Sequence, residues 1–170
     1  MKKYEFTGET KQVELWNRTA MLHRIRATVE FGFVKVGELG GWIEKEENLS
    51  HEGKAWVWGN AKVCGDAKVC GDARVWGNAE VCGDAKVFSA SHVLVIGAIG
   101  SRDDFTTFFR DKDNEITVKC GCFLGKIDKF LEKVTQTHGD SKYALVYRAA
   151  VEVARLQIDL SGEAPKDADE

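Results

Sequence analysis

Between Lys54 and Val95 the apolar positions recur in a unit of six. Aligned from Lys54, the chain reads KAWVWG, NAKVCG, DAKVCG, DARVWG, NAEVCG, DAKVFS and then a degenerate ASHVLV. Val57, Val63, Val69, Val75, Val81, Val87 and Val93 hold one position, each between two variable residues. A short strand places one inward side chain between two outward ones in this way. Gly followed by Asn or Asp supplies a tight corner, because both tolerate backbone conformations that branched residues avoid. Alanine fills the inside of that corner. An internal repeat of this kind outranks other signals in assigning a fold.

The less regular positions indicate how many hexads make a turn. Trp58 recurs as Trp76 and Asn60 as Asn78, each after 18 residues. Three hexads per turn is the simple reading, although a duplication of coding sequence would leave the same trace. Residues that stack at the parallel-strand spacing of roughly 4.8 Å then put Trp58 over Trp76 and Trp56 beside Arg74 on one outer face. A second face carries Cys64 with Cys82 and Lys62 with Glu80. The third carries Cys70 with Phe88 and Lys68 with Lys86. An outer surface of Trp, Cys and Phe is unusual in water. Either the chain's own C-terminal segment covers it, or a face is an interface, where Trp is enriched among anchoring residues. Trp56, Trp58, Arg74, Trp76, Lys68, Lys86 and Phe88 are therefore the candidate binding surface. Lys68 over Lys86 also suggests an anion site, which Asp66 and Asp84 oppose from two residues away.

In its hexads the chain resembles the hexapeptide-repeat family, in which an aliphatic residue is followed four places later by a small one. Val63 with Ala67, Val69 with Ala73 and Val75 with Ala79 match residue by residue, while Cys or Trp after the aliphatic residue departs from the pattern. The resemblance implies a left-handed parallel β-helix of about two to two and a half turns. Ile25, Phe31, Val34-Lys35, Gly37, Gly40-Gly41-Trp42, Asn48-Leu49-Ser50, Gly53 and Trp56-Val57 are similar to the YdcK-like hexapeptide proteins and to small hexapeptide-repeat proteins of phages and prophages. The Cys-Gly-Cys-Phe and Thr-His-Gly-Asp-Ser-Lys segments are similar to tails of those phage proteins. A fold and a phage origin are implied, and no proven activity.

So few buried valines offset little of the cost of ordering the chain, so flanking caps are required. Lys3 to Thr7 and Thr19 to Val29 read as strands, the second alternating Met21, His23, Ile25 and Ala27 against Leu22, Arg24, Arg26 and Thr28. Gly37, Gly40 and Gly41 lack the Gly-Lys-Ser/Thr ending of a phosphate loop and read as tight turns. Phe105–Phe109 and Ile116–Phe123 read as strands joined by a turn at 111–114. Lys126–Thr137 reads as a helix stopped by Gly139, and Asp140 or Ser141 caps a last helix. The expected fold class is mainly β. Its parts are an N-terminal β cap over 1–53, the solenoid over 54–101, a ββαα region over 102–160 and a disordered tail over 161–170.

Composition narrows the function classes. The formal charge of −3 and pI of about 5.9 argue against direct nucleic-acid binding. The sequence shows neither a signal peptide nor a membrane span, which points to the cytoplasm, that of a host if the chain is phage-encoded. Five cysteines in such a chain are expected as reduced thiols, with Cys120 and Cys122 buried on one strand face.

Hexapeptide acyltransferases use a histidine as base, and His51 and His92 are the candidates by position in the repeat. No orienting acid is evident from spacing, and neither a metal nor a cofactor is expected. The leading expectation is a non-enzymatic binding protein that forms a homo-oligomer and engages a host protein, such as a defence nuclease it would inhibit. The alternatives are an acyl-CoA-dependent acyltransferase, a protein that sequesters a small nucleotide signal, and a purely structural oligomer.

Overall fold

The computed structural model describes residues 1–15 and 17–161. The expected disordered tail therefore lies outside the described residues, apart from Ser161.

The first two strands, β1 (Tyr4–Leu15) and β2 (Arg18–Ala27), form a long antiparallel hairpin. β1 is longer than its sequence pattern suggests, because its register slips between Phe6 and Thr10 around Gly8. Gly8 itself has φ +94°, a conformation that glycine adopts without steric cost. A second slip, between Arg24 and Arg26 against the next strand, changes which face of β2 is buried. Ala20 and Leu22 face inward at one end, and Ile25 and Ala27 at the other. The simple alternation expected for β2 is thus corrected by irregular pairing, since one slipped residue flips every later side chain.

β3 (Leu39–Ile43) pairs antiparallel with β2 and parallel with β5 (Lys62–Val63), the second hexad strand. Gly40 and Gly41 lie inside β3 and not in turns. A Cβ on Gly40 would sit 2.6 Å from Ile25 and 2.7 Å from Trp56, and one on Gly41 would sit 2.6 Å from the Ala61 carbonyl oxygen. Close packing of backbone onto the repeat, not phosphate binding, requires glycine here.

The other hexad strands are β4 (Trp56–Val57), β6 (Lys68–Val69), β7 (Arg74–Val75), β8 (Glu80–Val81) and β9 (Lys86–Val87). They pair in parallel as β4 with β7, β5 with β8 and β6 with β9, each register 18 residues apart. The hexad valines and alanines form one buried core with Tyr4, Ile25, Trp56 and Phe109. Asn48 closes the entrance. Its amide Nδ2 donates to the carbonyls of Gly65 and Ala67, and its Oδ1 accepts from the Lys45 backbone N–H.

The degenerate last hexad leaves the repeat. A short 3-10 turn at Ala90–His92 leads into β10 (Val93–Ile99), which joins β11 (Asp104–Arg110), β12 (Ile116–Cys120) and β13 (Phe123–Lys126) in a four-stranded antiparallel sheet. The turn at 111–114 forms as expected. Asp111 anchors it, accepting from the backbone of Asp113 and Glu115, from the Thr117 hydroxyl and from Lys126 at 2.7 Å. Helices α1 (Ile127–His138) and α2 (Lys142–Gln157) pack on this sheet around Phe108, Phe130 and Tyr147. Gly139, with φ +57°, ends α1.

Two expectations need correction. The chain is mainly β, but a left-handed parallel β-helix between two separate caps is not what the strands form. They fall into four sheets: a five-stranded mixed sheet β1-β2-β3-β5-β8, the four-stranded antiparallel sheet, and two-stranded parallel pairs β4-β7 and β6-β9. The reason is that hexad strands of two residues leave short open edges, and β3 extends one of them into the N-terminal hairpin. The region over 102–160 is likewise three strands and two helices, not ββαα, and β10 from the expected repeat completes its sheet. The strand expected over 116–123 breaks at Gly121, with φ +56°, and returns as β13. Among the described residues no helix is long and apolar enough to cross a membrane.

Candidate binding surface

The hexads present their outer side chains in three directions, and the rest of the chain treats each differently. On the first, Cys64 is 1% and Cys82 3% exposed. They lie in a cluster with Ala20 and Leu22 of the hairpin, against which Val13, Leu15, Trp42 and Leu124 pack. Leu124 of β13 touches this cluster and the main core alike. The C-terminal sheet docks beside it, with the Glu80 backbone N–H donating to Thr107 Oγ1 at 2.9 Å and Lys119 Nζ 3.2 Å from the Glu80 carboxylate. Lys62 also meets Glu80, at 3.4 Å, the stacking expected from the repeat.

In the second direction Cys70 and Phe88 form a small buried cluster of their own. Phe88 is 6% exposed, with the Arg110 guanidinium 5.5 Å above its ring. It is therefore a covered residue and not part of an outer contact surface. Lys68 and Lys86 are register partners and line a hollow of about 360 Å³ with Asp66, Asp84, Lys45 and Lys112. Lys45 reaches Asp66 at 3.1 Å and Lys112 reaches Asp84 at 3.4 Å. Glu47 also lines the hollow, so three carboxylates oppose its four lysines and offset most of their charge.

The third direction stays open around Trp76. Trp58 stacks on Trp76, ring centroids 4.4 Å apart with planes 18° from parallel, and Trp76 is 49% exposed. Arg74 lies 5.1 Å from the ring centroid of Phe33, which is 77% exposed. A cavity of about 390 Å³ runs between them, lined by Phe33, Val34, Lys54, Trp58, Asp72 and Arg74. The structure thus brings Trp58, Trp76 and Arg74 together on one face. Trp56 is the register partner of Arg74, as expected, but it is covered where the others are not. It is fully buried with its ring edge-on to Phe31 and Tyr4, at 5.3 and 6.2 Å. The repeat alone could not identify Phe33, since it comes from the loop before β3. The alternation of Phe31 and Phe33 was its one trace, with Phe31 bridged to Val34 and Phe33 left outward.

Neither candidate base is poised for proton transfer. His51 stacks on Tyr4 with centroids 4.2 Å apart, and its Nδ1 accepts the Lys3 backbone N–H at 3.0 Å. Its Nε2 lies 3.8 Å from the Glu46 carboxylate, beyond hydrogen-bond reach. Burial lowers its pKa, which the Glu46 charge only partly offsets. His92 Nδ1 accepts the Phe88 backbone N–H at 3.0 Å, and Nε2 sits 3.3 Å from Arg110. Burial and the Arg110 charge hold its pKa down. With Nδ1 accepting the Phe88 N–H, the neutral ring carries its proton on Nε2, and His92 is a buried structural acceptor through Nδ1.

Cys120 and Cys122 do not share a buried face, because the turn at Gly121 leaves Cys122 exposed while the Thr106 hydroxyl donates to Cys120 Sγ at 3.4 Å. Among the described residues no group of three or more His, Cys, Asp or Glu is placed to hold a metal ion.

No family model matches the chain, and no curated protein matches it in sequence.

Proposed function

We propose that the protein works by binding another protein through the face formed by Trp58, Trp76, Arg74 and Phe33, with the hexad core as its rigid support. The observation that carries this reading is the stacked pair Trp58–Trp76, with Trp76 half exposed while the Cys64–Cys82 and Cys70–Phe88 pairs of the other two ladders are covered by the chain itself. Trp and Arg are the residue types most often found as anchors at interface centres, and here they stand on backbone fixed by parallel ladders. Arg74 over Phe33 adds a preorganised cation–aromatic pair beside a hollow able to receive a side chain.

The occupant we favour is a host protein, a reading that rests on the likeness to phage hexapeptide proteins. Inhibition of a defence nuclease is its most concrete form. Catalysis is not needed for this role. Both histidines that could serve an acyltransferase are engaged by backbone donors, which favours binding over acyl transfer. Retention of host proteins by immobilised wild type, Trp76→Ala and Phe33→Ala tests the reading. A partner held by the wild type and released by both variants supports it, while a partner indifferent to both places the contact elsewhere. Light scattering on the same three proteins separates out self-association: a mass that falls to the monomer in both variants would make the occupant a second copy.

A further inference from the structure

We propose that Cys64 and Cys82 are a reversible disulfide site, a dithiol that a low-molecular-weight disulfide oxidises to a staple across two successive rungs of the repeat. The two sulfurs are 2.6 Å apart, closer than unbonded sulfurs ordinarily sit. Backbone register places them there independently of side-chain detail. Each cysteine follows the valine of a strand in one parallel ladder, with Val63 opposite Val81. Neighbouring parallel strands lie about 4.8 Å apart, inside the roughly 4.4–6.8 Å Cα separation that a disulfide bridges.

The repeat contains its own control. Cys70 occupies the same position in its hexad, but 18 residues on stands Phe88, and those two pack together. Cysteine meets cysteine on one ladder of the three.

Reagent access comes from a cavity of about 370 Å³, whose lining includes both cysteines with Arg18, Glu44, Lys119 and Leu124. Lys119 brings positive charge toward Cys82, which helps a thiolate form. The hydrogen bond with Cys64 and burial outweigh it and hold the Cys82 thiol well above its ordinary range. Exchange is accordingly slow at neutral pH and faster in mild alkali.

The step balances as thiol–disulfide exchange. One cysteine, as thiolate, attacks a sulfur of RSSR, breaking the reagent's S–S bond, and the departing RS⁻ takes up the proton that the cysteine lost. The second cysteine then attacks the mixed disulfide, forms the Cys64–Cys82 bond and releases a second RSH. The protein gives up two hydrogens, and the reagent is reduced to two thiols.

The test treats the full chain with hydroxyethyl disulfide in mildly alkaline buffer, then alkylates remaining thiols in denaturant and digests with trypsin. Cleavage after Lys62, Lys68, Arg74 and Lys86 puts Cys64, Cys70 and Cys82 on separate peptides. The expected product joins the 63–68 and 75–86 peptides, leaves Cys70 alkylated, and disappears with dithiothreitol or in Cys82→Ser. Oxidised protein should also melt on the order of 5 °C higher, as a closed loop of this length implies. Should Cys82→Ser fail to fold, the wild-type peptide map decides alone. Cys64 and Cys82 both alkylated after exposed Cys122 has taken up the reagent, or joined to Cys70 instead of each other, would overturn the proposal.

Discussion

The ladder of Cys64 and Cys82 and the ladder of Trp58 and Trp76 come from the same hexad, yet one is covered except where a cavity reaches its edge and the other leaves Trp76 half exposed. The difference arises outside the repeat. β3 pairs alongside β5, which carries the hairpin over the cysteine side, and Leu124 closes it from the C-terminal sheet. β4 and β7 pair only with each other, and although Tyr4 and Phe31 cover Trp56 at one end of that ladder, Trp76 at the other stays half exposed. Small side chains accept a cover at close range, whereas two stacked indoles fill the space a cover would need. A regular repeat therefore fixes its inside, and its neighbours decide which outside is left open.

The comparison can be broken most severely at the seal. Leu22, fully buried against the cysteine cluster, should cost about 2–5 kcal/mol on change to Ala, seen as a lower midpoint in urea. A loss below about 1 kcal/mol, no more than an ordinary surface change gives, would mean the hairpin is not a tight cover.

The corners offer a matched pair. Gly71 and Gly77 both have φ +63°, but a Cβ on Gly71 would lie 2.5 Å from the Phe88 carbonyl oxygen, while nothing lies within 4 Å of one on Gly77. Gly77→Ala should cost only the left-handed backbone strain, about 1–2 kcal/mol, and Gly71→Ala distinctly more. Equal costs in thermal unfolding would show that the Cys70 corner is as open as the Trp76 corner.

A finer probe is Lys3, whose ammonium donates to the Ala55 carbonyl at 2.8 Å beside Phe31. Burial lowers its pKa from 10.5 to about 8, against smaller opposing contributions from neighbouring charges. Between those values the unfolded chain binds the proton that the folded chain has lost, so this group makes stability rise with pH across that window. Tyr4 and Cys82, with raised values, act in the opposite sense at higher pH. The difference between wild type and Lys3→Met isolates Lys3. It should shift in favour of the wild type from pH 8 to about 10.5, and a flat difference would contradict the burial.

Much of this was legible from residues alone. The 18-residue recurrence of Trp and Asn located every hexad pairing, including Lys62 with Glu80 and Lys68 with Lys86, because one period sets the register of all three ladders. The strand mergers were not legible. β3 joining β5 depends on Gly40 and Gly41 letting two backbones approach, and a glycine pair reads equally well as a turn. The face change in β2 depends on register slips that leave its composition unaltered. Of the site, Trp58, Trp76 and Arg74 followed from the period, whereas Trp56 and Phe88 are covered by segments distant in sequence. Phe33 belongs to no period at all.

The central claim, that the open tryptophan ladder is the working surface, is tested most directly by measuring how tightly a partner retained by the wild type binds Trp76→Ala and Leu156→Ala. Leu156 is equally apolar and 89% exposed, but lies on α2, in the C-terminal region. Loss of an interface anchor typically costs about 2 kcal/mol or more, roughly thirtyfold in affinity. That loss is expected for Trp76→Ala, with Leu156→Ala within about twofold of the wild type. Affinity unchanged in Trp76→Ala and lost in Leu156→Ala would move the function from the repeat to the helices.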